Sequence, residues 1–160
     1  MHNISFLNTG YEAITCGILA AFIAQSLKVL IYIFTHHKIN FKIFTTTGGM
    51  PSSHTAGVVA LAVSVGLIEG FSSISFAIAL GFSLVVMQDA SGVRRAAGKT
   101  AATLNRLVDE FVANNKEIKP YETLKELLGH TPLEVFCGML LGIAVPVIIH
   151  NYHSCISVFL

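Results

Sequence analysis

Two short segments of this chain concentrate residues able to do chemistry. Gly48-Gly49-Met50-Pro51-Ser52-Ser53-His54-Thr55 and Gly129-His130-Thr131-Pro132-Leu133-Glu134 each put a histidine at or just before the start of an apolar run. If those runs are helices, each histidine sits at a helix N-terminus, where unpaired backbone N–H groups and the positive dipole end attract anions. Gly48 and Gly49 let the backbone approach a ligand closely, and Ser52 and Ser53 add hydroxyl donors. Two imidazoles beside an anion site suit phosphoryl transfer, with one as nucleophile and the other as acid.

The elements that must position these residues are membrane spans. Of 160 residues, 53% are hydrophobic and only 12% charged, and the mean hydropathy is +0.69. Soluble domains carry roughly 25% charged residues, and one this small buries only about two thirds of its chain surface. A soluble enzyme and a disordered tail are excluded. The net charge of +1 leaves no basic footprint for nucleic acid. Four segments approach the length of about 20 apolar residues that a bilayer requires: 11–34, 53–68, 71–88 and 133–149. The second and third are joined by almost nothing and should form a tight hairpin. The tail from Asn151 to Leu160 is too short to span by itself.

Charge placement orients these spans. Nine of the ten Lys and Arg follow the first or the third span, at Lys38, Lys42, Arg94, Arg95, Lys99, Arg106, Lys116, Lys119 and Lys125. The positive-inside rule makes both stretches cytoplasmic and puts both termini outside. Within the cytoplasmic segment 89–130, Ala97, Ala101, Leu104, Val108 and Phe111 recur at helical spacing, which predicts an amphipathic helix over 93–115. A short helix is expected over 121–128, stopped by Gly129. The fold expected is therefore an all-α, polytopic membrane bundle of four transmembrane helices plus a cytoplasmic amphipathic helix, forming a single domain over 1–160. Cys16, Cys137 and Cys155 are scattered and have no metal-ligand spacing, so they read as small hydrophobes.

Pro51-Ser52-Ser53-His54 resembles the P-S-G-H motif of the type 2 phosphatidic acid phosphatases, relatives of the vanadium haloperoxidases. The run from Gly129 to Gly138 resembles that family's G-x-H-Y-P-S-D-V-x-x-G motif. Gly48 to His54, Asp89 to Gly98 and Leu124 to Gly138 look most like its divergent branch, small four-span proteins of bacteria and plastids. The resemblance implies an integral protein of a bacterial inner membrane or a plastid membrane, with a metal-independent, cofactor-free phosphatase site on the cytoplasmic face. His130 would match the nucleophile that forms a phosphohistidine, Glu134 the carboxylate that orients it, and His54 the acid that protonates the leaving alkoxide. The amides around Ser52, Ser53 and His54 would hold phosphate oxygens.

The chain also departs from that pattern. The family's K-x-x-x-x-x-x-R-P motif is absent; Lys28 is a candidate for its lysine, but Thr35 stands seven residues on. Leu124, followed by Lys125, stands where an arginine is usual. Arg94 and Arg95, with Lys99 one turn beyond, are the expected replacement cations, because a guanidinium fork pairs with phosphate oxygens.

Several of these residues have a plainer reading. Thr131-Pro132-Leu133-Glu134 is also a capping box with proline at the first helical position. Ser52 or Ser53 also suits a helix cap. Lys28 also suits snorkelling to the headgroups, Arg94 and Arg95 also suit membrane anchoring, and Asp89 suits either pairing with those arginines or capping. His36, His37, His150 and His153 fall on opposite sides of the membrane and read as interfacial.

The function expected is hydrolysis of a lipid phosphate monoester at the cytoplasmic face, with phosphatidylglycerophosphate the preferred substrate. The alternative is a non-catalytic protein that binds lipid phosphates, or a small scaffold or transporter. The oligomeric state is left open.

Overall fold

In a lipid solvent, apolar side chains gain nothing by turning inward, so helices associate through close backbone approach at small residues. The chain is built on that rule. The computed structural model describes residues 8–37, 48–114, 123–124 and 129–159. Among them there is no strand, and five α-helices run α1 (Gly10–His36), α2 (Ser53–Glu69), α3 (Ile74–Gln88), α4 (Arg94–Asn114) and α5 (Pro132–Phe159). The buried centre is Ala20 and Ala24 of α1, Ala56 and Ala60 of α2 and Val145 of α5, with Leu141 and Ile149 packed against it. Large apolar side chains such as Phe22, Ile78, Phe82 and Ile148 point outward.

Glycines set the closest approaches. A Cβ on Gly142 would lie 2.7 Å from the Ala56 carbonyl oxygen, and one on Gly138 would lie 2.5 Å from that of Ser52, so α5 rides directly on α2. Gly17 and Gly57 give α1 and α2 a similar contact. Two contacts hold α3 and its turn on α2. The Ser83 hydroxyl, buried, donates to the Val58 carbonyl at 2.9 Å, and Phe71 meets Phe76 edge to face at 5.1 Å over Gly66.

Three stretches, Gly10–Thr35, Ile74–Ala113 and Pro132–Tyr152, are long and apolar enough to cross a membrane. α2 has 17 residues, a rise of about 26 Å against a hydrocarbon core of about 30 Å.

The expected boundaries hold for α1 and α2 and shift elsewhere. α3 starts at Ile74, not at residue 71, because the Ser73 hydroxyl caps it by accepting the Phe76 N–H at 3.1 Å. α3 does not end in a loop before the amphipathic helix. The chain passes through one π turn, Asp89–Val93, straight into α4. Ser91 and Gly92 do not break it, since the Ser91 hydroxyl bonds back to the Met87 carbonyl at 2.8 Å. α5 runs on through Asn151 to Phe159, because no breaker follows Ile149 and Pro146 is tolerated inside it. Of the short helix expected over 121–128, only Thr123 and Leu124 are described, and neither is helical.

Candidate active site

One backbone bond brings the two histidine segments to the same end of the bundle. The Ser52 N–H donates to the Glu134 carbonyl at 3.0 Å, joining the N-termini of α2 and α5. The approach is possible because Gly138, one turn later, has no side chain to hold Ser52 away. The Ser52 hydroxyl, fully buried, accepts from the Thr55 N–H at 3.4 Å and lies 3.1 Å from the Thr55 hydroxyl. Ser52 thus serves as the α2 cap and the inter-helix tie, and it is not among the residues that line the histidine cavity described below. Ser53 is half-buried and faces the groove between α1 and α2. The amides of Ser53 and His54 are the first of α2, and no preceding helical carbonyl can accept them.

The π turn fixes the other segment. There the Arg94 N–H bonds to the Asp89 carbonyl, one residue further back than an α-helix would place it. The Ala90 carbonyl, which Arg94 would otherwise use, accepts the His130 N–H at 2.8 Å. Gly129 makes the docking possible. Its φ is +87°, and a Cβ there would run into the backbone of Arg94 and Arg95.

The result is a cavity of about 40 Å³ lined by His54, Val86, Asp89, Ala90, Arg94, Gly129 and His130. Both histidines and one of the predicted arginines meet there. His130 is 4% exposed, and its Nε2 is buried without a hydrogen-bond partner. A buried polar atom left unpaired costs about 1–3 kcal/mol, so a ligand atom at that point would be favoured. Burial pushes the His130 imidazole below its usual range. The Glu134 charge opposes the shift, and the charges of Lys28, His54 and Arg94 add to it. The ring is therefore neutral near pH 7, with a lone pair available.

The remaining predicted residues divide. The Glu134 carboxylate accepts the Thr131 N–H at 2.9 Å, and the Thr131 hydroxyl accepts the Glu134 N–H at 3.3 Å. This is the reciprocal capping box, and no hydrogen bond joins Glu134 to His130 among the described residues. Glu134 acts on His130 through its charge and by fixing the adjoining backbone. Arg94 is at the rim, with its Nε 2.6 Å from the Asp89 carboxylate. Arg95 supplies the backbone behind Gly129 but does not line the cavity, and Lys99 is exposed away from it. Lys28 is 4% exposed, its stem packed on Gly49, whose φ is +94°. It is outside the cavity wall but close enough for its charge to act on His130. Lys125 lies outside the described residues.

Two features escaped sequence reasoning. Buried Asn105 on α4 holds Leu124 from both sides, its Oδ1 accepting the Leu124 N–H and its Nδ2 donating to the Leu124 carbonyl, each at 2.9 Å. The signal available was an asparagine at helical spacing with Ala101 and Val108. At the opposite end of the bundle, buried Glu12 accepts the Asn8 N–H at 2.7 Å and lies 3.6 Å from His150 Nδ1. Among the described residues, no group of three or more His, Cys, Asp and Glu could hold a metal ion.

An apolar helical bundle with large side chains facing outward supports a membrane location, and at one end it carries a small cavity lined by two histidines, an aspartate and an arginine. The chain belongs to the Divergent PAP2 family, whose model matches residues 10–145. It is 43% identical over 141 residues to YuiD of Bacillus subtilis (strain 168), an uncharacterized membrane protein, covering 82% of this chain and 89% of that one. No solved structure matches the chain.

Proposed function

We propose that the protein is a phosphatase that hydrolyses a lipid phosphate monoester at the cytoplasmic face of its membrane. The observation that carries this is the buried, unpartnered Nε2 of a neutral His130 in one cavity with His54 and Arg94. In this reading α2 is a fourth span. The lysines and arginines after α1 and in α4 stay inside, which makes the histidine end of the bundle cytoplasmic.

The chemistry has two steps. His130 Nε2 attacks phosphorus and the ester P–O bond breaks, while protonated His54 gives its proton to the leaving alkoxide. Water then attacks the phosphohistidine, neutral His54 takes its proton, and the P–N bond breaks. The products are the alcohol and inorganic phosphate, with both histidines restored. Arg94 and the amides of Ser53 and His54 offset charge on the transferring phosphoryl group. Glu134 positions His130 through the backbone. Lys28 adds positive charge behind the ring, and Arg95 holds the turn.

The test is phosphate release by the purified full chain in detergent, from phosphatidylglycerophosphate first and phosphatidic acid second. Release that His130→Ala abolishes, with phosphohistidine trapped on rapid acid quench of the unaltered chain, is expected. No release from any lipid phosphate by folded protein overturns the reading. A second reading, a non-catalytic lipid-phosphate binder, is favoured by the engagement of Glu134 with Thr131 and of Arg94 with Asp89. It predicts saturable binding without turnover.

A further inference from the structure

His54 lines a second hollow besides the catalytic one. This is an open groove of about 380 Å³ between α1 and α2, with Ser53 and His54 at one end. We propose that it holds one hydrocarbon chain of the lipid whose phosphate enters the histidine cavity. The assignment of the headgroup rests on the phosphatase reading above; the assignment of the chain rests on the groove.

The walls are Ile14, Ile18 and Ala21 from α1 and Val58 and Leu61 from α2. No charged residue interrupts either helix between Ile14 and Ala21 or between Thr55 and Leu61. The floor is the contact of Gly17 with Gly57. A Cβ on Gly17 would lie 3.1 Å from the Gly57 carbonyl oxygen, and one on Gly57 3.3 Å from that of Gly17. Helices that touch backbone to backbone, with no side chain at the contact, leave a furrow above it. Ile14 and Ile18 are 55% and 65% exposed, so the furrow opens sideways on the face that lipid covers.

Its length and polarity fit a single chain. From Ser53 to Leu61, α2 rises about 12 Å, most of the ~15 Å depth of one leaflet's hydrocarbon. The polar end lies at the histidines and the apolar end runs toward the bilayer centre. A chain seated there has its first carbons beside His54, which is also a wall of the catalytic cavity. The occupant is therefore a lipid phosphate and not a second protein copy, because only an amphiphile with phosphate at one end satisfies both hollows at once.

The experiment separates the groove from the chemistry. Full-length protein in vesicles of neutral lipid is illuminated with a phosphatidic acid carrying a diazirine midway along one chain, and the labelled peptides are identified. Labelling within 14–21 and 53–61, competed by long-chain phosphatidic acid at least tenfold better than by diacylglycerol, is expected. Labelling elsewhere, equal competition by diacylglycerol, or a cross-link joining two copies through these residues overturns the groove whatever the activity. In parallel, kcat/KM is measured for a dipalmitoyl and a dibutyryl lipid phosphate. Ala21→Phe, which fills the furrow, is expected to lower the long-to-short ratio at least tenfold. Leu61→Ala, which widens it without new bulk, should shift the preferred chain length upward. An unchanged ratio in folded variants of both kinds overturns the proposal. Specific labelling without phosphate release leaves the groove standing and overturns the phosphatase reading instead.

Discussion

The His130 N–H donates to the Ala90 carbonyl at 2.8 Å, and through that bond the geometry of one helix sets the position of a side chain on another. The acceptor exists because the Asp89–Val93 turn is a π turn. Its register shift sends the Arg94 N–H to Asp89 and leaves Ala90 facing the start of α5. π turns inside α-helices occur often at functional sites, and here the same turn supplies Asp89, Ala90 and the start of Arg94 to the cavity wall. His54 reaches the same cavity from the start of α2, which the Ser52 bond to Glu134 ties to α5.

Gly129 is the hinge of that docking and tolerates no side chain. Its φ of +87° is one an L residue adopts at a cost, and its Cβ would collide with the Arg94 and Arg95 backbone. Gly129→Ala should destabilise the protein by about 1–3 kcal/mol from the backbone strain alone. It should also cut phosphate release more steeply than the loss of folded protein explains, since His130 must move. Thermal unfolding in detergent measured beside turnover per folded molecule checks this. Full turnover in Gly129→Ala would mean that the Ala90 contact does not position the ring.

Glu134 tests what a carboxylate does beside a buried imidazole. Gln can keep a capping box that Ala cannot. Glu134→Gln should therefore unfold like the unaltered protein, while Glu134→Ala loses about 1 kcal/mol. The Glu134 charge raises the His130 pKa, so removing it should move the acid limb of kcat/KM to lower pH. Burial already holds His130 below its ordinary range, so folding with His130 neutral contributes stability that is complete above about pH 6.5 and is lost as pH falls through the folded-state pKa. His130→Gln should flatten that acid-side loss. An acid limb that Glu134→Gln shifts upward would contradict the assignment.

How much of this was legible beforehand follows from what each signal depends on. The helices α1 and α2 declare themselves through long apolar runs, and His54 and His130 through their place at the start of such runs. The continuity of α3 into α4 was hidden, because Asp89-Ala90-Ser91-Gly92 has the composition of a loop and only the bond from Ser91 to Met87 shows it held in a helix. The two serines read equally well as phosphate donors and as caps. Their fate depended on whether α5 came close enough to take the Ser52 amide, and that approach is set by Gly138, 86 positions away in sequence. Arg94 and Arg95 are adjacent and chemically identical, and the turn's register alone gives one of them the cavity rim.

That distinction is measurable. Arg94 lines the cavity and Arg95 does not. Arg94→Ala should lower kcat/KM by about 10²-fold, within the range found when one group stabilising a transition state is removed. Arg95→Ala and Lys99→Ala should cost less than tenfold. Lysine at 94 should recover only part of the loss, since it lacks the planar fork. Equal losses at 94 and 95 would indicate a diffuse field effect in place of a defined contact.

Asn105 carries the last prediction. It is 5% exposed and bonds both backbone groups of Leu124 at 2.9 Å, as a neighbouring strand would. Gly129 and His130 stand five and six positions after Leu124 in the sequence, so the amide ties α4 to the stretch that precedes His130. Asn105→Ala leaves two backbone groups of Leu124 unpaired, with about 1–3 kcal/mol lost for each that water cannot reach. Asn105→Asp keeps the acceptor for the N–H but puts a carboxylate oxygen against the carbonyl, so it should be worse than Ala. Hydrogen exchange at the Leu124 amide is the direct readout. Both variants should speed exchange there at least tenfold, while amides in α2 keep their protection. Turnover should fall in proportion to the loosening, with KM for the short-chain ester little changed. If exchange at Leu124 quickens and turnover does not fall, the clamp serves stability alone and His130 is positioned by Ala90 and Gly129 without it.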